Sequence, residues 1–281
     1  MRALAWMLLA CAAGTDSADP VGSADDTAHR PDDHEGGDGG DGGDGGGGDG
    51  GDGGDGGDGG QPVEVSPPFG GSSGGSGGQD HPNASSLQVG GTSFQLLAPN
   101  GSSVASSVRL LMVISGTEGA ANMMANMKQL APYYGLGDAL VAVLDGTTSS
   151  GADGARVLDE LRSLYDVDND RTWLLSESAG TAAGLVLAYE LAPTYFAAYW
   201  ANDVNTAATP SLDASELGFE PWGNAGPGGD WPDANAIVAG MDAAGWRLPP
   251  DAPYSGAGAD SHGSSQQFMA AVEFFDGKER E

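Results

Sequence analysis

A stretch that cannot build a hydrophobic core occupies residues 12–80 and limits where this chain of 281 residues can fold. It contains 26 glycines, 16 acidic side chains and one base, and residues 36–60 repeat Gly-Gly-Asp with few interruptions. Low hydrophobicity and like-charge repulsion keep such a segment extended. We therefore predict a disordered, acidic, Gly/Asp-rich linker at residues 12–80 and a folded domain at residues 81–281.

The net charge of the chain is shared by the linker and the domain. The formal total is −30, of which the linker carries −15 and the domain, with 24 acids and 8 bases, carries −16; Arg2 lies outside both. A surface this negative argues against nucleic acid as a partner, because binding to phosphate backbones requires a basic patch. The domain is long enough to bury a complete core.

The first eleven residues resemble a bacterial lipoprotein signal peptide. Arg2 is followed by the apolar run ALAWMLLA and then by Cys11, which is the only cysteine of the chain and therefore forms no intramolecular disulfide. The run is too short to span a bilayer. This resemblance implies that Cys11 is lipidated and that the protein is exported and anchored to the bacterial envelope by lipid alone. A free cysteine in an N-terminal tail is the alternative.

Apolar runs and helical periodicity alternate along the domain. Strands are predicted at residues 93–98, 108–115, 140–144, 171–176 and 196–200, and helices at residues 120–130, 153–165, 179–191, 234–244 and 266–275. Alternation of this kind favours crossover connections between parallel strands. The predicted fold class is therefore α/β, with a mainly parallel sheet flanked by helices.

Ser178 is the candidate nucleophile. The segment WLLSESAGT, residues 173–181, leads an apolar strand into Ser178 and then into a helix of small residues, which is the context of a nucleophile elbow. Two literal G-x-S-x-G matches at residues 70–74 and 74–78 lie in the linker without a strand or a helix beside them. Ser178 as a simple helix N-cap is the alternative.

A serine hydroxyl needs a base, and histidine is the usual one. The chain has four histidines, of which His29 and His34 lie in the linker and His81 lies at the edge of the domain. His262 is the one well inside the domain, downstream of Ser178 and just before the last predicted helix. We therefore predict His262 as the base.

An acid should orient the base and should follow the nucleophile in the chain. The acids between Ser178 and His262 are Asp203, Asp213, Glu216, Glu220, Asp230, Asp233, Asp242, Asp251 and Asp260. A position after a strand and before a helix selects Asp230, which has glycines in front of it. Asp233 is the alternative, although it also suits the N-cap of the following helix.

Two backbone amides are candidates for an oxyanion hole. The amide of Ala179 directly follows the nucleophile at the start of a helix. The second is the amide of Thr117, in the glycine-containing loop after the strand at residues 108–115. An ordinary strand-to-helix turn is the alternative for this loop.

With these residues assembled, residues 93–276 resemble the α/β-hydrolase superfamily, and within it the secreted polyhydroxybutyrate depolymerases and feruloyl esterases. The most specific similarity is residues 165–180, supported by residues 115–117 and 232–236. The resemblance implies Ser178 as nucleophile, His262 as base and Asp230 or Asp233 as acid. Ser176 stands where the family usually has glycine, and Ser115 where it usually has histidine.

The resulting hypothesis is a serine hydrolase tethered to the envelope that cleaves small-molecule or polymeric carboxylic esters through an acyl-enzyme. No organic cofactor and no metal ion are predicted. The alternatives are a peptidase on the same fold and a catalytically inactive, hydrolase-like binding protein of the envelope.

Overall fold

The computed structural model describes residues 66–102 and 107–281. Cys11 and the predicted linker up to residue 65 lie outside these residues. The described part contains one sheet of seven strands. The strands are β1 His81–Val89, β2 Thr92–Ala98, β3 Val108–Ile114, β4 Leu140–Leu144, β5 Val167–Glu177, β6 Ala198–Asn202 and β7 Trp222–Ala225.

The strand order across the sheet is β1-β2-β4-β3-β5-β6-β7. β2 is antiparallel to both of its neighbours, and every pairing from β4 to β7 is parallel. The parallel strands therefore end at one common edge, where binding sites of open α/β sheets form.

Helices cover both faces of the sheet. They are α1 Gly119–Tyr133, α2 Gly151–Leu164, α3 Thr181–Val186, α4 Ala214–Leu217, α5 Trp231–Ala243 and α6 Ser265–Phe274. α2, α3 and α5 pack on one face of the sheet, and α1 and α6 pack on the other. Among residues 66–102 and 107–281, no helix is long and apolar enough to cross a membrane.

The predicted α/β class is confirmed, and all five predicted strands are present. Their runs read as continuously apolar because β3 and β4 are buried on both faces, with Leu110 and Leu111 contributing to opposite cores. Two strands, β1 and β7, were not predicted from the sequence. β7 has only four residues, and β1 is a polar edge strand whose signal is the turn Gly90–Gly91, with both φ angles positive.

Residues 66–80, predicted as the end of the linker, lie instead on the folded domain. Ser73 donates its amide hydrogen to Val167 O at 2.8 Å and its hydroxyl to Tyr165 O at 2.7 Å. A Cβ at Gly75 would lie 2.1 Å from Tyr165 O, and one at Gly78 would lie 2.2 Å from the Tyr165 ring. These glycines therefore allow close packing, and residues 66–80, which were predicted as linker, belong to the described part of the domain.

Arg280 contacts both residues 66–80 and the rest of the domain. Its side chain is 0% exposed, forms an ion pair with Asp170 at 2.9 Å and donates to Pro68 O at 3.2 Å. The guanidinium also lies 5.0 Å from the ring centre of Phe69 and 5.1 Å from that of Phe219. Removal of one member of a buried pair leaves the other charge uncompensated, so Arg280 should matter for stability.

We expect Arg280→Met to lower the free energy of unfolding by about 3 kcal/mol, because Asp170 loses its buried partner. The measurement is urea unfolding followed by circular dichroism. Arg171→Met is the control: Arg171 is 48% exposed and pairs with the exposed Glu279, so its loss should cost less than about 1 kcal/mol. Equal losses in the two variants would contradict the role given to Arg280.

Candidate active site

Ser178 occupies a sharp turn at the carboxyl end of β5. Its φ is +47°, a left-handed conformation that is uncommon for a residue with a side chain. A 3-10 turn, Ser178–Gly180, follows at once and leads into α3. This is the strand–turn–helix context that the sequence predicts, and the strained turn exposes the Ser178 hydroxyl at the edge of the sheet.

Close packing of the turn on β3 explains the glycine two residues after the serine. A Cβ at Gly180 would lie 2.6 Å from the carbonyl oxygens of both Ile114 and Ser115. These are backbone atoms of the neighbouring strand, which cannot swing away as a side chain would. Glycine at position 180 therefore allows the turn to approach β3.

Ser176 replaces the glycine usual two residues before the nucleophile, and Gly184 accommodates it. A Cβ at Gly184 would lie 2.4 Å from Ser176 Cβ, so α3 rests against β5 only because position 184 has no side chain. The Ser176 hydroxyl also shares a hydrogen bond of 2.9 Å with the Tyr199 hydroxyl. Both groups are buried, and each satisfies the other.

His262 lies beside the nucleophile. Its Nε2 is 2.9 Å from Ser178 Oγ, a hydrogen-bond distance, although the two residues are 84 positions apart in the chain. The His262 loop is held from the α5 side, since Gly229 N donates to Ala259 O at 2.8 Å and Trp231 Nε1 donates to Asp260 Oδ1 at 2.8 Å. The structure thus brings together the predicted nucleophile and the predicted base.

Asp230 is placed differently from the expectation. Its carboxylate is the N-cap of α5 and accepts the amide hydrogen of Asp233 at 3.2 Å. Within residues 66–102 and 107–281, no hydrogen bond or ion pair joins the His262 ring to Asp230, Asp233 or Asp203. The cap role, which the sequence analysis reserved for Asp233, therefore belongs to Asp230, whose position before a helix is explained by capping.

Asp203 is the carboxylate that holds the His262 loop. Its side chain is fully buried, Oδ2 accepts the amide hydrogen of Gly263 at 2.5 Å, and Oδ1 accepts from Gln267 Nε2 at 2.6 Å. Gly228 makes room for it, since a Cβ there would lie 2.3 Å from Asp203 Oδ1. Asp203 thus acts on the residue next to His262.

The backbone at Asp203 repeats the backbone at Ser178. Glu177 and Asn202 are register partners at the ends of β5 and β6, so Ser178 and Asp203 follow at equivalent positions. Asp203 has a φ of +48°, against +47° at Ser178. In the sequence, Asp203 follows a predicted buried strand, as a triad acid should. The choice of acid also required a helix directly after it, and this second criterion excluded Asp203.

Glu177 is a second buried carboxyl group beside Asp203. Its residue is 7% exposed, and Oε2 accepts from Asn202 Nδ2 at 2.7 Å. Burial raises the pKa of Glu177 well above its ordinary value, and the nearby charge of Asp203 raises it further. No role was predicted for Glu177 from the sequence.

The loop after β3 lies against the nucleophile. A Cβ at Gly116 would be 3.1 Å from Ser178 Cβ, so glycine allows this approach. Gly116 N donates to Glu118 Oε1 at 3.0 Å, which places a carboxylate at the loop, while Thr117 is exposed between them. Thr117 and Ala179 therefore lie in the two turns that meet at Ser178.

In the described part of the chain, no group of three or more His, Cys, Asp or Glu residues is arranged to hold a metal ion.

No protein-family model matches the chain, and no curated protein matches it in sequence. Several solved structures, however, are similar to this chain. A thermostable esterase is 14% identical with a TM-score of 0.51, covering 70% of this chain and 63% of the esterase, so this chain spans less than two thirds of that protein. The dienelactone hydrolase-like promiscuous phosphotriesterase P91, from metagenomic libraries, is 14% identical with a TM-score of 0.46, covering 70% of this chain and 97% of P91.

A further match is LpqC, a poly(3-hydroxybutyrate) depolymerase from Bordetella parapertussis, which is 15% identical with a TM-score of 0.44 and covers 68% of this chain and 85% of LpqC. The likeness to the esterase, together with the strand order and the turn at Ser178, shows an α/β-hydrolase fold. At these identities the likeness concerns the fold alone.

We expect Gly180→Ala to lower the free energy of unfolding by about 1–3 kcal/mol, as overpacking does, even though alanine is the better helix former. The reason is the contact of 2.6 Å that the new Cβ would make with two backbone oxygens. Ala182→Ser is the control, since it adds one atom to an exposed position of α3. Thermal and urea unfolding of both variants measure the difference, and an unchanged Gly180→Ala protein would contradict the packing argument.

Proposed function

We propose that this protein is a serine hydrolase that cleaves carboxylic esters through an acyl-enzyme. The observation that carries the proposal is the distance of 2.9 Å between Ser178 Oγ and His262 Nε2, with Ser178 held at a φ of +47° at the end of β5. A nucleophile within hydrogen-bond reach of a base, on a strained turn, is the arrangement that activates serine.

The reaction divides into two acyl transfers. Ser178 Oγ attacks the ester carbonyl carbon while His262 Nε2 takes the hydroxyl proton, and the amides of Ala179 and Thr117 hold the resulting oxyanion. The intermediate collapses, and His262 returns the proton to the departing alcohol. Water then attacks the acyl-Ser178 ester with His262 again as base, which releases the acid and restores the serine.

We assign the role of triad acid to Asp203 in place of Asp230. Asp203 is buried at the register position next to Ser178, and it fixes the His262 loop through Gly263. A buried carboxylate at this place would keep the imidazole oriented and would stabilise the imidazolium that forms during each transfer. Asp230 caps α5 and is already engaged there.

The proposed substrates are small-molecule or polymeric esters. The fold likeness to an esterase supports this class. The alternatives are a peptidase on the same fold and an inactive binding protein, and each predicts a different result with a serine-reactive probe and ester substrates.

We expect a fluorophosphonate probe to label the wild-type protein on Ser178 and to leave Ser178→Ala unlabelled, because the probe reports an activated serine. The measurement is mass spectrometry of the labelled peptide together with hydrolysis of p-nitrophenyl esters of increasing acyl length. Labelling with cleavage of peptides but not of esters would indicate the peptidase. Neither labelling nor hydrolysis by a folded wild-type protein would indicate the binding protein.

We expect Asp203→Asn to reduce kcat for ester hydrolysis by roughly 10³–10⁴-fold, since loss of the triad carboxylate leaves the histidine poorly oriented. Asp230→Asn is the matched control and should retain most of the activity, because asparagine caps a helix about as well as aspartate. The reverse order of the two activities would return the role of acid to Asp230.

We also propose that Cys11 carries a lipid that tethers the domain to the bacterial envelope, with the acidic segment as spacer. This rests on the sequence of residues 1–11, which lie outside the described residues. We expect Cys11→Ala to move the protein from the membrane fraction to the soluble fraction of cells, as measured by fractionation and immunoblotting. A variant that stays with the membranes would contradict lipid anchoring at Cys11.

A further inference from the structure

A second carboxyl group lies behind the nucleophile and is not used by the reaction proposed above. Glu177 is the last residue of β5, directly before Ser178, and is 7% exposed. Its register partner on β6 is Asn202, directly before Asp203. Two acids, one from each strand end, therefore share a site from which water is almost excluded.

The amide groups around the two acids have fixed orientations. Asn202 Oδ1 accepts from Trp200 Nε1 at 3.0 Å, so its amino group is the part that faces Glu177. Gln267 Oε1 accepts from Gly228 N at 3.1 Å, so its amino group faces Asp203. Because each amide oxygen already has a donor, neither side chain can turn to present an acceptor.

The distribution of donors decides which acid carries the proton. Among residues 66–102 and 107–281, the Asp203 carboxylate accepts from the amide of Gly263 and from Gln267, whereas the Glu177 carboxylate accepts from Asn202 only. Pairing of Glu177 with Asn202 at the strand ends brings Glu177 near Asp203, and two neighbouring buried carboxylates repel each other strongly when both are ionised. Two hydrogen-bond donors stabilise a negative charge on Asp203 better than the one donor stabilises it on Glu177, and this difference favours the proton on Glu177.

We propose that Glu177 is a neutral carboxylic acid that donates a hydrogen bond to Asp203 and so positions Asp203 for its work on His262. Glu177 is thus a positioning residue, since it acts through Asp203. The inference rests on the proposed function, because it assigns Asp203 to the triad. The raised pKa of Glu177, caused first by burial, agrees with the donor count.

The pair should make activity fall as the pH rises through the pKa of Glu177, which burial raises. Below the raised pKa, Glu177 holds its proton and Asp203 carries the one charge. As the pH rises through that pKa, a second negative charge appears beside Asp203, and the repulsion moves it away from the His262 loop. The other acid that acts on Glu177 is Glu118 of the β3–α1 loop, and its negative charge also favours the protonated form.

Glu177→Gln tests this assignment, because glutamine donates to Asp203, accepts from Asn202 and does not titrate. We expect Glu177→Gln to keep kcat at neutral pH within about threefold of wild type and to lose the alkaline fall of the kcat profile. Glu177→Leu, which has no donor, should lose at least tenfold in kcat at every pH while KM changes little. Glu190→Gln is the control for the same chemical change at an exposed site.

The proton itself is measured separately from activity. The infrared difference spectrum of wild type minus Glu177→Gln at neutral pH should contain the C=O band of a protonated carboxylic acid, and the Glu190→Gln difference should lack it. A carboxylate band in place of the acid band, or an unchanged alkaline limb in Glu177→Gln, would overturn the proposal. Because the spectrum needs no substrate, an acid band in a protein without esterase activity would refute the proposed function and leave the protonated pair standing.

Discussion

β5 and β6 end at paired residues of the sheet, and this common end point determines the rest of the candidate site. Parallel pairing aligns Glu177 with Asn202, so the next residue of each strand, Ser178 and Asp203, leaves the sheet at the same level. Both residues then adopt a left-handed backbone, at +47° and +48°. Strand register alone thereby places the proposed nucleophile and the proposed acid side by side, before any loop contributes. A register shift of one residue would separate them, because it would turn each side chain to the other face.

Three close contacts keep the Ser178 turn in this position. Gly180 allows the turn to meet β3, Gly184 allows α3 to meet Ser176, and Gly116 allows the loop after β3 to meet Ser178. The unusual serine at position 176 is therefore not a defect of the elbow. Its volume is matched by the absence of a side chain at position 184, and its hydroxyl has a buried partner in Tyr199.

The sequence predicted those parts of the structure that short-range patterns specify. Continuous apolar runs revealed the buried strands, and the strand–turn–helix pattern located Ser178; among four histidines, chain order pointed to His262, which the structure places 2.9 Å from Ser178. The preference for Asp230 rested on local context, and the same context describes a helix N-cap, which is what Asp230 is. Asp203 becomes recognisable only when β5 and β6 are paired, because its significance lies in register and in contact with Gly263, more than fifty residues away.

Residues 66–80 were predicted as linker for a related reason. Their glycines allow close packing on Tyr165, and composition alone cannot distinguish such glycines from those of a flexible linker.

Local charge places a further demand on the candidate site. The reaction proposed for Ser178 creates a negative oxygen near Glu177, Asp203 and the Glu118 carboxylate, and residues 81–281 already carry a formal charge of −16. Fixed negative charges near a developing oxyanion oppose its formation most strongly where water is excluded. A protonated Glu177 reduces the buried charge to that of Asp203, which the imidazolium of His262 offsets during each transfer. A second acid behind the nucleophile is therefore compatible with ester hydrolysis when it is neutral, and its neutrality follows from the same burial and strand pairing that place Asp203 beside Ser178.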